Sequence, residues 1–481
     1  MSIARVFVLL GLFVPALAFG RTLTVEEATG LALDHSHGIR AAEAGEEKAQ
    51  AEAHEALLQF FPKVSAAAGY TRLDQVPKVS FDLSQMGSGG GGDPCADISE
   101  EELPEGWTVE MAGSFCYMIM GWLVGEPSAE ESFIDMGLKD NYFAKLSVEQ
   151  VVFAGGALHQ AHAASRDLHR AAEEQVRLAR QKAVFDAQSG FYKLVLAREA
   201  VKVTEEARET IDAYVRDLQA IVDVGAGSRA DLLAAQAQQS QAQLDAMRSA
   251  HGAKLAEMAF KVMLGLPQEE SLELVMDEQP PTWDLPVGRE GLLSEAYRRR
   301  PDLGALDYNI GALRHYGGAT WASWLPAVVV IGNLNWKNPN YSLEPEWYSS
   351  ADITVAASWN LWDRGAALQK HRAARASARQ LSSHRELLAE MMGVEVQMAV
   401  SSFDEAAAEL EVAEAGLAQA EEAYRLEHER FLHGMANNTQ LLGAHTALSG
   451  AQLSRLRAQT LLRISHAAVR KAIGWDPEVN R

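Results

Sequence analysis

Two long stretches of the chain repeat apolar residues with a helical period. Neither residues 128–266 nor residues 346–476 contain a proline, and both stretches are rich in Ala, Leu, Glu, Gln and Arg, which favour helices. Apolar residues recur four and seven positions apart at Leu168, Ala172, Ala179, Ala183, Ala187, Leu194 and Val201, and again at Ala367, Ala374, Leu381, Leu388, Leu410, Leu417 and Tyr424. This period predicts long helices that pack through small side chains.

Each stretch is interrupted once, close to a glycine. The interruptions are residues 224–228 (VGAGS) and 433–437 (HGMAN). A helix-capping pattern follows each one, with Ser or Asn three positions before an acidic or amide residue, as in Ser228 and Asp231. We therefore predict two helical hairpins, each joining a long helix to a shorter antiparallel one.

The two halves of the chain resemble each other. Phe61-Pro62 corresponds to Leu325-Pro326, 264 positions later, and Gly225 corresponds to Gly434, 209 positions later. The sequence therefore predicts one structural unit that occurs twice. The expected organisation is a first repeat at 19–267 with an insertion at 76–141, a linker at 268–288, a second repeat at 289–476 and a tail at 477–481.

The predicted helices have matching lengths. A helix near 157–222 spans roughly 100 Å at about 1.5 Å per residue. Shorter helices near 228–263 and 289–324 together cover roughly the same length, so we expect both to pack end to end along the long helix. The prolines of the 268–288 linker mark the interruption between them.

Four segments between the helical parts alternate apolar and polar residues, as strands do. The apolar positions are Val64, Ala66, Ala68 and Tyr70; Tyr142, Ala144, Leu146, Val148 and Val152; Val328, Val330, Leu334 and Trp336; and Ile353, Val355, Ala357, Trp359 and Leu361. Strands of about ten residues with this alternation are typical of membrane barrels, and equally of a half-buried sheet in a soluble protein. In lipid, four strands leave open edges and fall short of the smallest barrels, which have about eight. A barrel therefore requires several copies of the chain, and three copies supply twelve strands.

The N-terminus carries the features of an export signal. Arg5 precedes an apolar run at 6–17, and Ala16-Leu17-Ala18 matches the small-residue cleavage pattern. We predict a signal peptide at 1–18; the alternative is a membrane anchor, for which the run is short. An exported chain without a spanning helix can enter a membrane only through strands.

Composition narrows the possible partners. The chain has 43 basic and 65 acidic residues, a net charge of −22 and 48% hydrophobic residues. This charge argues against general binding to nucleic acid and against a basic attachment to anionic lipid, because both need a positive surface. An acidic wall attracts cations and repels anions.

The order of several short motifs is the most specific signal in the chain. The motifs are LTVEEA at 23–28, Phe61-Pro62 before the first strand, FAGG at 153–156, RPDL at 300–303 and the two hairpins. In this order they resemble the TolC-type family of outer-membrane efflux and secretion channels, over nearly all of the chain beyond the signal. The resemblance implies an α+β membrane protein: a homotrimer with a twelve-stranded β-barrel among the lipids of a Gram-negative outer membrane, continued by a long α-helical barrel in the periplasm. It also implies export of small molecules or secreted substrates, as the outer component of a tripartite efflux or type I secretion system with an adaptor (membrane fusion) protein and an inner-membrane transporter.

The resemblance implies roles for the two hairpin turns. In the family these turns contact the adaptor and form the closed end of the tunnel; the corresponding residues here are Val224, Gly225, Ala226, His433, Gly434 and Met435. The glycines have a simpler explanation, since a helix end favours a residue that tolerates positive φ. The aperture candidates are Asp231, Phe431 and Gln440. A ring of Asp231 carboxylates would attract cations, but Asp231 also suits a helix cap.

The second hairpin departs from the family pattern. Gln440 and Gly443 stand where family members often carry acidic residues, and Phe431 and Ala436 stand where a tyrosine and an arginine can latch the tip. We therefore expect the tip to close through apolar contacts rather than through an ionic latch.

The remaining candidate chemistry is sparse. Cys95 and Cys116 both lie in the insertion, and two such cysteines in an exported protein are expected to form a disulfide. His159, His162 and His169 follow one helix, but without a further close ligand a solvated helix face is the expected role rather than a metal site. No phosphate-binding loop, nucleophile elbow or catalytic cysteine is recognisable, so we expect no enzyme activity, cofactor or metal.

Two other functions fit parts of the pattern. A secreted or periplasmic coiled-coil scaffold would use the same helices and fold the strands into a soluble sheet. An exported enzyme with a helical arm would need a cofactor or metal. Only the channel requires detergent for extraction and forms a heat-modifiable trimer. The transported substrate is selected by the inner-membrane partner in such systems, so this chain does not specify it.

Overall fold

The computed structural model of the chain describes residues 21–76, 78–80, 112, 114, 115, 118, 133–135, 138–276, 281, 283, 288–340, 342, 344–433 and 435–474. The predicted signal at 1–18 and the predicted disulfide of Cys95 and Cys116 lie outside the described residues. The chain divides into two compact units. The helical unit comprises residues 1–58, 156–324 and 361–481, and the sheet unit comprises residues 59–155 and 325–360.

Long α-helices dominate the helical unit. They are α1 (Val25–His35), α2 (His37–Leu58), α3 (Ala157–Asp223), α4 (Arg229–Leu264), α5 (Leu292–Arg299), α6 (Pro301–Ala322), α7 (Ala366–Leu432) and α8 (Asn438–Ala472). Two short strands, β1 (Arg21–Leu23) and β6 (Leu272–Leu274), pair in parallel, and a 3₁₀ turn at Arg289–Gly291 precedes α5. Helices α3 and α7 have 67 residues each. Within the described ranges, no helix is apolar over enough of its length to cross a bilayer.

Local contacts fix the starts of the helices. Thr24 and Glu27 form a reciprocal capping box: Thr24 Oγ1 accepts a hydrogen bond from the Glu27 N–H at 3.2 Å, and Glu27 Oε2 accepts one from the Thr24 N–H at 3.0 Å. Helices α3 and α7 each follow a glycine with positive φ, Gly156 at 84° and Gly365 at 79°. Because side chains make this conformation costly, it explains the glycine that ends the FAGG motif.

Helix α3 is the central helix of the helical unit. Helices α1, α2, α4, α6 and α8 all pack against it, and α7 packs against α5, α6 and α8. One apolar cluster joins α1, α3, α4, β1 and β6 around Phe191 and Phe260, and a second joins α5, α6, α7 and α8 around Met392. Fully buried alanines such as Ala187 and Ala406 lie in these contacts, so the seams are narrow, as the sequence predicts.

The segment expected as one helix at 289–324 is divided in two, so that prediction was wrong. Helix α5 ends at Arg299, Arg300 is extended with φ −69° and ψ 121°, and α6 begins at Pro301. Proline suits the first position of a helix because it lacks an N–H, but its ring disfavours a helical conformation in the residue before it. Pro301 therefore ends one helix and starts the next.

The sheet unit contains a four-stranded antiparallel sheet. Its strands are β2 (Lys63–Arg72), β5 (Asp140–Ala154), β7 (Ala327–Asn338) and β8 (Tyr348–Ser358), in the order β2-β5-β7-β8. A short pair, β3 (Lys78–Ser80) with β4 (Phe133–Asp135), is separate from this sheet. The four predicted strands are therefore confirmed. Among the described residues, β2 and β8 each have a strand neighbour on one side only, so the sheet has two open edges.

The strand register collects the alternating apolar residues on one face. Cross-strand partners run from Val64 to Val148, Gly332 and Ile353 in one row and from Ala66 to Leu146, Leu334 and Ala351 in the next. Several of these side chains are exposed in the single chain: Ile353 is 81% exposed, Val355 68% and Val64 63%. We call this the apolar face; it comprises Val64, Ala66, Ala68, Tyr70, Tyr142, Ala144, Leu146, Val148, Val328, Val330, Leu334, Trp336, Ile353, Val355 and Ala357.

The opposite face carries polar side chains that bond to one another. Ser147 Oγ donates to Asn333 Oδ1 at 2.8 Å, and Asn333 Nδ2 donates to Asp352 Oδ2 at 2.7 Å. Asn335 Nδ2 donates to the other oxygen of Asp352 at 3.1 Å. A polar network thus crosses β5, β7 and β8 directly behind the apolar face, because successive residues of a strand point to opposite sides.

The predicted alternation of apolar residues was wrong towards the ends of two strands, β5 and β8. A β-bulge in β5 leaves Val152 without a cross-strand partner, and Phe153 takes the position opposite Val328 instead. Strand β8 ends at Ser358, whose partner is the first residue of β7, so the expected continuation through Trp359 and Leu361 has no strand to pair with.

Candidate functional site

The two hairpin turns lie at the same end of the helical unit. Gln238 Nε2 of α4 donates to Thr446 Oγ1 of α8 at 3.3 Å. The ring of Tyr214 in α3 meets the ring of Phe431 in α7 edge to face, with centroids 5.9 Å apart. Each of these residues lies in the part of its helix next to a turn. We call residues 224–228 and 433–437 together the hairpin tip.

The first turn is a glycine-terminated helix end. Gly225 has φ 78°, and its N–H donates to the Val222 carbonyl at 2.9 Å. The Ala226 N–H donates to the Ile221 carbonyl at 3.0 Å, which completes a Schellman motif. Val224, the residue directly before Gly225, is 79% exposed. The helix-end explanation for Gly225 is therefore correct, and an apolar side chain is presented beside it.

The second turn follows the same plan. The Met435 N–H donates to the Arg430 carbonyl at 2.7 Å, the long hydrogen bond of a Schellman motif, and Arg430 Nη2 donates to the Met435 carbonyl at 3.4 Å. Met435 is 64% exposed and His433 is exposed beside it. Gly434 lies outside the described residues. Each turn thus presents one large apolar side chain, Val224 or Met435, to the exterior.

The three aperture candidates have different environments. Gln440 completes a capping box with Asn437: each side chain accepts a hydrogen bond from the other residue's N–H at 2.9 Å. In the first hairpin only half of this box forms, because Ser228 Oγ accepts from the Asp231 N–H at 3.5 Å without a reciprocal bond. The Asp231 carboxylate therefore stays exposed and outside the cap. Phe431 is half-buried against Tyr214.

Beneath the first turn, Tyr214 joins an apolar cluster. The cluster is formed by Ile211, Val215, Leu218, Leu232, Ala235 and Ala242, with Tyr214, Val222 and Leu442 packed against it. Among the described residues, the buried Tyr214 hydroxyl has no hydrogen-bond partner. Burial raises the pKa of Tyr214 to about 12, and the nearby Asp231 carboxylate acts in the same direction. The tip is thus held by apolar packing, and the aromatic pair of Tyr214 and Phe431 joins its two hairpins.

A cleft of about 370 Å³ opens between α3, α4 and α8, farther from the turns. Polar and charged side chains line much of it, among them Asp245, Arg248 and Arg457. His445 is buried at the cleft, with its ring 5.5 Å from that of Tyr424. Burial lowers the pKa of His445, and Glu206 opposes this effect. Burial at the cleft therefore favours the neutral form of the His445 imidazole.

Comparisons with known proteins agree on one fold. Residues 292–475 match the family model described as outer membrane efflux protein. Among solved structures, the chain is similar to the Campylobacter jejuni CmeC outer membrane channel, with a TM-score of 0.73, 17% identity and coverage of 94% of this chain and 85% of that one. It is similar to the open state of the Neisseria gonorrhoeae MtrE outer membrane channel, with a TM-score of 0.71, 16% identity and coverage of 94% and 89%. It is also similar to the outer membrane protein VceC of Vibrio cholerae, with a TM-score of 0.70, 17% identity and coverage of 94% and 96%.

The chain has the outer-membrane channel fold. The resemblance stated from the sequence motifs is thereby confirmed. No curated protein sequence matches the chain. The family match begins at α5 and covers α5 to α8 with β7 and β8, so the channel fold of the first half rests on the structural comparisons.

Some elements of this outer-membrane channel fold were missed by sequence reasoning. Tyr214 lies ten positions before the first turn and has no distinguishing motif, so its pairing with Phe431 was not foreseen. The three histidines at 159, 162 and 169 do not form one cluster. His169 instead lies close to Glu46 and Glu173, and Glu46 belongs to a different helix. The sequence shows that His169 lies four residues before Glu173, but it does not show the approach of Glu46.

Proposed function

We propose that this chain is the outer-membrane component of an export system, in which three copies form a channel from the periplasm to the exterior. The open four-stranded sheet with an exposed apolar face is the observation that carries this proposal. A periplasmic adaptor protein and an inner-membrane transporter complete the system, and the transporter selects the substrate.

The edges of the sheet support assembly from several copies. Unpaired strand edges are not tolerated in hydrocarbon, where water cannot satisfy the backbone. Four strands also fall short of the roughly eight that the smallest barrels need. Pairing of β2 of one copy with β8 of the next removes both edges, and three copies close a barrel of twelve strands.

The apolar face supports contact with lipid. The strands have 10, 15, 12 and 11 residues, so each is long enough for the roughly 9–11 residues that a tilted strand needs to cross a bilayer. Aromatic side chains gather towards both ends of the sheet: Tyr70 and Tyr142, with ring centroids 4.8 Å apart, at one end, and Phe153 and Trp359 at the other. Such girdles are typical of the two membrane interfaces. The polar network on the opposite face then lines a hydrated lumen.

Exposed apolar stripes on the helical unit support packing between copies. On α7, Leu387, Met391, Val394 and Met398 recur at helical spacing with 53–63% exposure. On α4, Leu255, Met258 and Val262 form a second stripe with 46–69% exposure. Stripes of this kind on a single chain favour a helical partner. We assign them to contacts between copies, which extend the barrel into a periplasmic tunnel of helices.

Equal helix lengths support the two predicted repeats. Helices α3 and α7 have 67 residues each, and α4 and α8 have 36 and 35. Each half then contributes one long helix, one hairpin turn and two strands to the assembly. The exposed Val224 and Met435 of the two turns are the adaptor contacts in this proposal, because exposed apolar side chains favour contact with a partner protein.

The Asp231 carboxylate gives a direct test of the proposal. Because three copies would bring three exposed carboxylates to one aperture, Asp231→Asn should lower the cation-over-anion permeability ratio severalfold. The measurement is the reversal potential of the purified protein in a planar bilayer under a salt gradient. Asp217→Asn removes an exposed carboxylate from α3 farther from the turn and serves as the matched control.

The possible outcomes separate the two parts of this proposal. Failure of the unmodified protein to conduct ions would contradict the channel function. Conduction with the same reversal potential in Asp231→Asn and in the unmodified protein would keep the channel and contradict the aperture role of Asp231.

A further inference from the structure

Three potential metal ligands meet where α2 packs on α3. His169 Nε2 lies 3.9 Å from Glu46 Oε1 and 3.9 Å from Glu173 Oε1. One ligand atom from each of the three residues lies within 4.8 Å of the other two. His169 and Glu173 are four residues apart and share a helix face, while Glu46 approaches from α2. The group is far from the hairpin tip in sequence and takes no part in the proposed transport function.

The imidazole nitrogen at the centre of this group is available for a ligand. Among the described residues, His169 Nε2 has no hydrogen-bond partner, although the atom is buried. A buried ring nitrogen without a partner is costly, and a metal ion satisfies it as well as a hydrogen bond does.

The two carboxylates also lack a compensating cation of their own. Within the described part of the chain, neither Glu46 nor Glu173 forms an ion pair with a lysine or arginine, and both carboxylates lie 3.9 Å from His169 Nε2. The Glu46 side chain is partly buried with 35% exposure, and the Glu173 side chain is exposed at 49%. Two carboxylates held this close repel each other unless positive charge lies between them.

The donor set selects a class of ion. In a tetrahedral zinc site with bonds of about 2.0–2.2 Å, ligand atoms lie roughly 3.3–3.6 Å apart, so small side-chain rotations bring the three atoms into range. One imidazole nitrogen with two carboxylate oxygens favours borderline ions such as Zn²⁺, Co²⁺ or Ni²⁺ over Mg²⁺ and Ca²⁺, which prefer oxygen ligands throughout. With three protein ligands, the fourth position of such a site would be taken by water.

We propose that Glu46, His169 and Glu173 bind one divalent transition-metal ion of the Zn²⁺ class, which fastens α2 to α3. In the single chain only Ile39 and Ala56 of the 22 residues of α2 are buried, so a polar link would add to the packing of α2 on α3. One ion pair, between Arg180 and Glu43 at 3.0 Å, also joins the two helices. The metal adds a second polar link on the same face of α2.

Zinc titration of the full-length protein tests the site. The protein is purified in detergent without a polyhistidine tag, treated with chelator and titrated with ZnCl₂ by calorimetry. We expect the unmodified protein to bind one Zn²⁺ per chain. The affinity for Zn²⁺ should be at least about tenfold lower in His169→Ala, Glu46→Gln and Glu173→Gln. The control His384→Ala removes an exposed histidine from α7 and should bind Zn²⁺ like the unmodified protein.

Hydrogen exchange gives a second readout that separates this site from adventitious zinc. Zn²⁺ should slow amide exchange in α2 of the unmodified protein and of His384→Ala, and leave it unchanged in Glu173→Gln, which keeps the size of the side chain. The proposal would be overturned if the unmodified protein did not bind zinc, or if all three ligand variants kept its zinc affinity. It would also be overturned if Zn²⁺ protected α2 equally in Glu173→Gln and in the unmodified protein. None of these readouts depends on ion conduction, so the site and the channel function succeed or fail separately.

Discussion

Ile353→Arg should abolish the outer-membrane trimer, whereas Thr354→Arg, one residue away, should leave it intact. Ile353 lies near the middle of β8 on the apolar face and is 81% exposed in the single chain. Thr354 pairs with Ile331 and belongs to the opposite face. An arginine on the lipid-facing side of a barrel costs about 2–4 kcal/mol near the bilayer midplane, and every copy in the trimer carries it. The same arginine on the lumen side remains in water.

This pair of variants separates the channel from a soluble scaffold. The measurement is the amount of heat-modifiable trimer in the outer-membrane fraction, with the unmodified protein as reference. Both residues are exposed in the isolated sheet, so a soluble sheet would tolerate both substitutions alike. Equal amounts of assembled protein in the two variants would contradict the placement of the apolar face in lipid.

Arg300→Met should destabilise the helical unit by about 3–5 kcal/mol, because it leaves a shielded carboxylate without its partner. The Arg300 side chain is 12% exposed at the break between α5 and α6. Its Nε and Nη2 donate to the two oxygens of Asp302 at 3.1 and 2.6 Å, and Nη1 contacts Glu395 of α7 and the Ala472 carbonyl of α8. One side chain thus fastens the break to two neighbouring helices.

An exposed arginine with a similar number of partners provides the control. Arg425 bonds to Glu422 and Glu429 on α7, but all three side chains are more than half exposed. Solvent screening reduces such pairs to about 0–1 kcal/mol, so Arg425→Met should shift the unfolding transition little. Denaturant unfolding of the two variants, followed by circular dichroism, compares them. A loss in Arg300→Met as small as that in Arg425→Met would show that the RPDL motif does not hold the break in place.

Sequence periodicity predicted the helices and their turns because these depend on local interactions. The proline-free stretches, the glycines at the turns and the Ser228 and Asn437 caps act within a few residues of the chain. The structure places helix ends within one or two residues of the predicted positions for α3 and α4. The exception is the break at Pro301, where a single proline outweighs the surrounding helical pattern.

Alternation predicted the strands and their apolar face, but not the irregular positions. The shift at Val152 depends on how β5 meets β7, two strands that lie far apart in the sequence. The end of β8 likewise depends on where β7 begins. Such limits are set by the partner strand, which one strand's own pattern does not contain.

Candidate sites were predictable only where one local segment supplies them. The exposed Val224 and the capped Asn437 turn follow from short motifs. The approach of Glu46 to His169 joins residues 123 positions apart and depends on the packing of α2 against α3. The sequence supplied the His169 and Glu173 spacing without the third ligand, so the histidines were expected to lie on a solvated face.

The number of chains in the detergent-extracted particle tests the central claim most directly. Native mass spectrometry of protein purified from outer membranes should give three times the mass of one chain, because the four-stranded sheet has two open edges within the described part of the chain. The particle should persist until heating separates the copies. A single chain that stays monodisperse in buffer without detergent would contradict the shared barrel and favour a periplasmic scaffold.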